Sequence, residues 1–201
     1  AISMAKEART AGVYSWSKGN FGVSLAAYSA KAGLSCTVFV PSRVDVGKLY
    51  QIIAYNPTIK VAHTLSEVER DRAGAHFGFR RITPSDAFYL EGIKTSGVEV
   101  CEQLEWTAPD LMVVPIGDGS HITMIWKGMR ELQRVGIMKG TLPKMFGVQA
   151  QGAGSITTTS PSRPREVEAQ GAREELASDI KVKRPLLGAS AGRVIQESGG
   201  S

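Results

Sequence analysis

Short apolar runs alternate with amphipathic stretches along most of this chain. Runs rich in β-branched and aromatic residues predict strands at 13–16, 37–40, 59–62, 111–116 and 145–150. The spacing of apolar residues predicts helices at 20–32, 45–55, 66–75, 86–104 and 121–136. Because the strand runs show little alternation of apolar and polar residues, we expect parallel strands covered on both faces. The pattern therefore predicts an α/β fold.

Two predicted helices have a clear apolar face. The apolar positions of one are Val46, Leu49, Tyr50 and Ile53. Those of the other are Ile122, Ile125, Trp126, Met129 and Leu132. Positions three and four apart lie on one side of a helix, which supports the α/β interpretation.

A domain boundary is predicted at Pro84-Ser85-Asp86. It divides the chain into a small amino-terminal α/β lobe, residues 1–84, and a partial large α/β lobe, residues 85–201. The Ser-, Thr- and Pro-rich stretch at 155–164 is predicted to be a loop.

Composition narrows the classes of partner. The chain has 201 residues, of which 42% are hydrophobic, so it can bury a sizeable core. The net charge is +5, but Lys and Arg are scattered, and the densest basic stretch, 181–184, is short. We therefore expect no nucleic-acid partner, and a basic field that attracts phosphorylated or carboxylate substrates.

The sequence indicates a cytoplasmic protein. Cys36 and Cys101 are too few for a disulfide framework and are expected to be buried free thiols. No apolar run approaches the ~20 residues that span a bilayer, and no secretory signal is visible. His63 and His76 have no Cys or His at ligand spacing, so no metal site is expected.

The first candidate site is the turn Ser17-Lys18-Gly19-Asn20, which lies between a predicted strand and a predicted helix. This arrangement presents backbone N–H groups and a helix dipole to an anion. Gly19 allows a sharp turn or a close approach to a ligand, and Asn20 stands where an N-cap is expected. The alternative interpretation, an ordinary capped helix that binds no ligand, stays open.

The second candidate site is Gly117-Asp118-Gly119-Ser120-His121, which follows an apolar strand and precedes an amphipathic helix. Small residues at a helix N-terminus can direct successive amides at a phosphate. The alternative is a plain strand-to-helix turn with Asp118 as its cap.

These two loops belong to a longer collinear resemblance. It covers Ser17–Tyr28, Val38–Pro41, Val46–Leu49, Ile53–Tyr55, Leu90–Thr95, Pro109–Gly117, Ile125–Gly128, Gly147–Ala150, Ala177–Ile180 and Glu197–Gly200. In this order the segments resemble the threonine synthase family of fold type II pyridoxal phosphate (PLP) enzymes. The resemblance implies two lobes of parallel twisted sheet with flanking helices, as in the tryptophan synthase β subunit, here incomplete.

The resemblance also implies roles for the loop residues. Asn20 would bind the 3′-oxygen of the cofactor, and Ser17, Lys18 and Gly19 would face the substrate carboxylate. The cofactor phosphate would be held by the second loop, at Gly117, Asp118, Gly119, Ser120 and His121.

Some loop residues depart from the family pattern. Asp118 and His121 stand where the family usually has Asn, and Ser120 where it usually has Gly. Lys18 stands where small hydroxyl residues are common, and it either adds positive charge toward an anionic substrate or points to solvent. A carboxylate beside a phosphate is unfavourable unless it points away or caps the helix.

No catalytic residue is assigned, because the family's Schiff-base lysine is expected a few residues before Ala1. Met4-Ala5-Lys6-Glu7-Ala8 resembles later turns of the helix that carries it. The family's last strand is also absent, so we expect a fragment or a form truncated at both ends.

The implied activity is conversion of O-phosphohomoserine to threonine and phosphate, with PLP as cofactor. Two alternatives stay open: a serine/threonine dehydratase of the same fold, and a non-catalytic remnant that binds a phosphorylated small molecule or a partner chain. Formation of a homo-oligomer stays open as well.

Overall fold

A computed structural model describes residues 1–75, 77–150, 156, 180, 182 and 184–201. The chain forms two compact units, Ala1–Tyr89 and Leu90–Ser201. Several features named above lie outside the described residues: His76, the segment 177–179, and all of the expected loop at 155–164 except Ile156.

The first unit is built around a four-stranded parallel sheet. Its elements are α1 (Ile2–Glu7), β1 (Gly12–Trp16), α2 (Asn20–Ala32), β2 (Ser35–Val40), α3 (Val46–Ile53), β3 (Thr58–Val61), α4 (Leu65–Ala75) and β4 (Phe79–Arg81). The strands lie in the order β3-β2-β1-β4. The strong burial of β1 and β2 confirms the expected parallel α/β architecture.

The core of this unit is formed by apolar residues of the two central strands, of the helices on them and of the segment after β4. The buried side chains are Ala5, Val13, Leu25, Ala26, Cys36, Val38, Val40, Ile52 and Ile82. The apolar face predicted for α3 differs from the one that is buried. Ile52 is fully buried, whereas Val46, Tyr50 and Ile53 are exposed.

The second unit contains a two-stranded parallel sheet with helices packed against it. α5 (Ala87–Ile93) contains the boundary between the units, and α6 (Thr95–Gln103), β5 (Leu111–Pro115), α7 (Ser120–Arg134), β6 (Lys144–Val148) and α8 (Gly188–Ser198) follow. The single helix predicted at 86–104 is thus two helices, which meet at Lys94.

The apolar face predicted for α7 is confirmed. Its members Ile122, Ile125, Trp126, Met129 and Leu132 are all buried. α6 packs so closely against α7 that a Cβ on Gly97 would lie 2.6 Å from the Ile125 carbonyl oxygen. A Cβ on Gly128 would clash with the carbonyl oxygen of Lys94. Glycine at both positions therefore sets the spacing of these helices.

Candidate functional site

The first candidate loop lies at the carboxyl end of β1, one of the two central strands of its sheet. β1 ends at Trp16, and residues 17–19 connect it to α2. From β1 the chain continues to β2 on one side, and it later returns to place β4 on the other side. Ligands of open α/β sheets bind where the strand order changes direction in this way.

Ser17 shapes this loop through its hydroxyl group. Ser17 Oγ accepts hydrogen bonds from the backbone N–H of Gly22 at 2.9 Å and of Gly19 at 3.3 Å. The Ser17 N–H donates to the carbonyl oxygen of Phe39 on β2 at 2.9 Å. Ser17 therefore ties the N-terminus of α2 to the sheet, because it satisfies amides that a helix start leaves unpaired.

Asn20 is not the N-cap that the sequence predicted. The N-cap is Gly19, and Asn20 is the first residue of α2. The Ser17 side chain reaches the helix N-terminus from two residues earlier and takes over the capping role. Asn20 itself is exposed.

The start of α2 leaves a donor available for an anion. In the part of the chain that the structure describes, the backbone N–H of Phe21 donates no hydrogen bond, whereas that of Val23 donates to Gly19 at 3.4 Å. Lys18 is exposed on the turn, Ser17 is partly buried and Gly19 is buried. The loop therefore combines one free amide, the positive end of a helix and a lysine.

Sequence reasoning missed Lys48. Its ammonium donates to the side-chain oxygen of Asn20. The N-terminus of α3 is held by Asp45, whose carboxylate accepts from the Lys48 backbone N–H at 2.9 Å. Val46–Leu49 was part of the family resemblance, but nothing in the spacing of residues 20 and 48 indicated that their side chains meet.

The first turn of α5 contributes an aromatic contact next to the same helix. The ring of Phe21 meets the ring of Tyr89 edge-on, with 5.1 Å between ring centroids. Asp86 accepts from the Phe88 N–H at 2.9 Å and pairs with Arg80 at 3.1 Å, which orders the loop before α5. The start of α2 is therefore braced from the β4 side of the sheet.

The second candidate loop connects β5 to α7. Gly119 is the N-cap of α7 and has φ +87°, a conformation that favours glycine. A Cβ at this position would lie 2.7 Å from the carbonyl oxygen of Leu187, so glycine is required for space as well. The N–H of Leu187 donates to the Asp118 carbonyl at 2.7 Å. The segment before α8 thus holds this loop, which the sequence did not indicate.

Asp118 turns its carboxylate into the loop. Its Oδ1 accepts from the backbone N–H of Ser120 at 3.0 Å and from the Ser120 hydroxyl at 2.6 Å. The Thr123 N–H donates to the Gly119 carbonyl at 3.3 Å. Within the described ranges, the N–H groups of His121 and Ile122 donate no hydrogen bond. Two amides at the start of α7 thus stay available to an anion.

His121 is adjacent to these amides. Burial lowers the pKa of His121 from its ordinary value, and the Asp118 carboxylate partly opposes this shift. The imidazole is therefore neutral near pH 7 and can donate one N–H to an anion without a formal charge.

Other expectations concern metals, thiols and membranes. Cys36 and Cys101 are confirmed as buried free thiols. Among the described residues, no three His, Cys, Asp or Glu side chains are grouped so that they could hold a metal ion. None of the helices in that same part of the chain has the length and apolar composition to cross a membrane.

Comparison with known proteins finds matches over the whole length of the chain. The family model described as "Pyridoxal-phosphate dependent enzyme" matches residues 1–201. A threonine synthase of Methanocaldococcus jannaschii is 36% identical over 191 residues, which cover 92% of this chain and 46% of the relative. A threonine synthase of Halalkalibacterium halodurans is 30% identical, and the match covers 100% of this chain and 54% of the relative. The chain spans about half the length of these curated relatives.

Solved structures share the fold. The processed form of threonine deaminase isoform 2 from Solanum lycopersicum superposes with a TM-score of 0.67 at 20% identity, over 92% of this chain and 53% of that protein. A PLP-dependent aspartate racemase superposes with a TM-score of 0.67 at 21% identity, over 97% of this chain and 57% of that protein. At these identities the likeness concerns the fold alone.

Proposed function

The chain belongs to the pyridoxal-phosphate dependent enzyme family, and we propose that it forms part of a threonine synthase. The reaction converts O-phosphohomoserine and water to threonine and phosphate. Phosphate leaves the γ carbon of the substrate, and water adds at the β carbon. The observation that carries the proposal is the threonine synthase likeness over most of the chain, including both candidate loops.

The residues of the second loop fit the phosphate of the cofactor. A negative charge beside the phosphate is unfavourable, and the hydrogen bonds that the Asp118 carboxylate accepts from Ser120 reduce this cost. The N–H groups of His121 and Ile122 then act as donors at the start of α7, supported by the helix dipole. Gly119 allows the backbone to turn closely at this point.

The first loop would bind the remainder of the cofactor and the substrate. Asn20 holds the cofactor's 3′-oxygen, and Ser17 keeps the turn in the shape that presents the Phe21 N–H to the substrate carboxylate. Gly19 permits the close approach, and Lys18 adds a positive charge on the turn. These residues bind and orient, which is how a protein directs a cofactor's chemistry.

When bound, the cofactor supplies an electron sink that stabilises negative charge on the substrate carbon. The loops of this chain contribute positive potential around two phosphates, that of the cofactor and that of the substrate. The net charge of +5 favours the approach of such substrates.

The two alternatives lead to different products. A serine/threonine dehydratase would use the same loops to release a 2-oxo acid and ammonia. The threonine deaminase likeness supports only the shared fold, because the identity is 20%. A non-catalytic remnant would bind PLP or another phosphorylated molecule without turnover.

The decisive experiment uses the protein encoded by this sequence together with its flanking coding sequence. O-phosphohomoserine is supplied, and threonine and phosphate are quantified; we expect equal amounts. Faster formation of 2-oxobutyrate from threonine would favour the dehydratase. A stop codon at both flanks, with PLP binding but no turnover, would favour the remnant.

A further inference from the structure

We propose that the groove between α7 and α8 binds a small organic molecule that carries two acidic groups, each a carboxylate or a phosphate. The groove has a volume of about 310 Å³, which is the size of a small-ligand pocket. The residues that line it, from Thr123 to Glu197, all belong to the second unit. This ligand is additional to the cofactor and the substrate of the proposed function.

The two helices begin side by side and run in the same direction. Leu187, the N-cap of α8, donates its N–H to the Asp118 carbonyl at 2.7 Å, next to Gly119, the N-cap of α7. About three turns later, Arg130 of α7 pairs with Glu197 of α8 at 3.4 Å. Because the helices meet at their starts and again near their ends, the groove between them has side chains of α7 on one wall and of α8 on the other.

The groove has an excess of positive charge. Its acidic side chains already have partners, since Glu131 pairs with Lys94 at 2.7 Å and Glu197 pairs with Arg130 at 3.4 Å. Its basic side chains are more numerous, and they are Lys127, Arg130, Arg134 and Arg193. The charge of the groove therefore favours an anionic ligand.

Two of these arginines are available to a ligand. In the part of the chain that the structure describes, neither Arg134 nor Arg193 makes an ion pair or a side-chain hydrogen bond. Arg193 lies one helical turn before Glu197, and Arg134 lies one turn after Arg130, so they flank this ion pair on opposite sides. A guanidinium group binds a carboxylate or a phosphate through two parallel hydrogen bonds. Two separate guanidinium groups therefore suit a ligand with two acidic groups.

The wall of the groove also suits a carbon chain between the acidic groups. Trp126 and Val194 contribute apolar surface, and Ser190 adds a hydroxyl group near the helix starts. An apolar surface favours an organic ligand over a bare inorganic ion. Arg130 and Arg134 are four residues apart on one helix and repel each other, and a bound anion would relieve this repulsion. Glutarate, a short chain with a carboxylate at each end, is the simplest probe.

The first arm of the test measures protection of the arginines from a chemical reagent. The protein encoded by this sequence with its flanking coding sequence is treated with phenylglyoxal, which modifies accessible arginines, and the adducts are mapped by mass spectrometry. We expect glutarate to protect Arg134 and Arg193 together, in a saturable manner. Arg184 is the internal control, because it is exposed and does not line the groove.

Inorganic phosphate is the control ligand, because it carries a similar charge on a single group. We expect glutarate to protect at a clearly lower concentration than phosphate. Equal protection by the two ligands would overturn the assignment of a ligand with two acidic groups. Absence of protection by glutarate, or equal protection of Arg184, would overturn the site itself.

The second arm uses variants. In Arg193→Gln, glutarate should protect Arg134 only at a roughly three- to tenfold higher concentration, because one charged hydrogen-bonding partner is lost in a site open to solvent. Arg134→Gln should weaken the protection of Arg193 in the same way. Arg184→Gln makes the same change of net charge outside the groove and should have no effect. Equal weakening by Arg184→Gln and Arg193→Gln would attribute binding to net charge and overturn the inference.

The test is independent of the proposed function. Protection is measured without cofactor, substrate or turnover, so a protein that lacks threonine synthase activity can still show the groove to be a binding site. Conversely, loss of protection in Arg193→Gln with unchanged binding of PLP would separate the groove from the second loop. Thermal unfolding of each variant verifies that its fold is intact.

Discussion

The Asp118 carboxylate accepts two hydrogen bonds from Ser120, one from its backbone N–H and one from its hydroxyl. The pair explains how an acidic residue can stand in a loop that is proposed to hold a phosphate. The carboxylate serves the first turn of α7, and two later amides of that turn stay available. Its negative charge nevertheless stays close to any anion bound at the same helix start.

Asp118→Asn should strengthen binding of inorganic phosphate by the chain. Asparagine keeps the oxygen that accepts from Ser120 but removes the negative charge, which is worth on the order of 0.3–1 kcal/mol at a helix end. Calorimetric titration measures the difference. Asp118→Ala is the control, because it removes the charge and the hydrogen-bond acceptor together and should disorder the loop. Equal or weaker binding in Asp118→Asn would contradict the proposed phosphate site.

Gly119→Ala should destabilise the chain by more than the backbone strain at a positive φ would cause by itself. Its φ of +87° disfavours alanine, and the added Cβ would lie 2.7 Å from the Leu187 carbonyl oxygen. Gly136→Ala is the matched control, because Gly136 has φ +74° with no atom within 4 Å of its Cβ position. Urea denaturation should show a loss of about 1 kcal/mol for Gly136→Ala and a clearly larger loss for Gly119→Ala. Equal losses would mean that the α8 segment moves aside freely.

His121 should make the chain less stable as the pH falls below neutrality. Burial lowers the pKa of His121 below its ordinary 6.5, so the unfolded chain binds a proton first. The contribution to stability is therefore complete above about pH 6.5 and is lost as the pH falls through the folded-state pKa. Urea denaturation at about pH 7.5 and about pH 5.5 should show a smaller decline in His121→Gln than in wild type.

The carboxylates of Glu67 and Glu91 do not interfere with this measurement of stability near neutral pH. Hydrogen bonds, from the His63 backbone to Glu67 and from Lys127 to Glu91, lower the pKa of both groups from their ordinary 4.5. Their contributions to the stability of the chain are therefore lost at a lower pH than the contribution of His121. A decline that is the same in wild type and His121→Gln between neutral pH and about pH 5.5 would show that His121 is not its source.

The 201-residue chain should not bind PLP covalently at one defined lysine. A lysine that attacks an aldehyde needs a desolvated or electropositive environment that keeps its amine neutral, and Lys18 stands on a turn that is open to solvent. After incubation with PLP and reduction with borohydride, mass spectrometry should find scattered, substoichiometric labels. Stoichiometric labelling of Lys18 that disappears in Lys18→Ala would contradict this expectation.

The exposed apolar face of β5 and β6 should bind a hydrophobic dye or cause the chains to associate with one another. Leu111, Val113 and Val148 are 54%, 61% and 50% exposed. Parallel sheets are normally covered on both faces. Val113→Lys should reduce dye fluorescence and concentration-dependent association without loss of stability. Val135→Lys, at a similarly exposed position outside the strands, is the control; an equal effect of both variants would show that net charge is responsible.

The sequence by itself determined the α/β class and the location of both loops along the chain. Strands β1 and β2 and the apolar face of α7 were predictable, because their burial follows from unbroken β-branched runs and from helical spacing. β4 was not predicted, since a three-residue strand of Phe79-Arg80-Arg81 has no apolar run and forms only because β1 offers it an edge.

Only the tertiary structure decided which side chains meet at the loops. No local pattern encodes these contacts: the Ser17 side chain caps α2 in place of Asn20, Lys48 contacts Asn20, and Leu187 closely approaches Gly119. Periodicity reports which face of an element is apolar, whereas these contacts depend on how strands and helices are arranged in space. The sequence specifies the chemical groups of the two loops, but the fold determines how their donors are oriented.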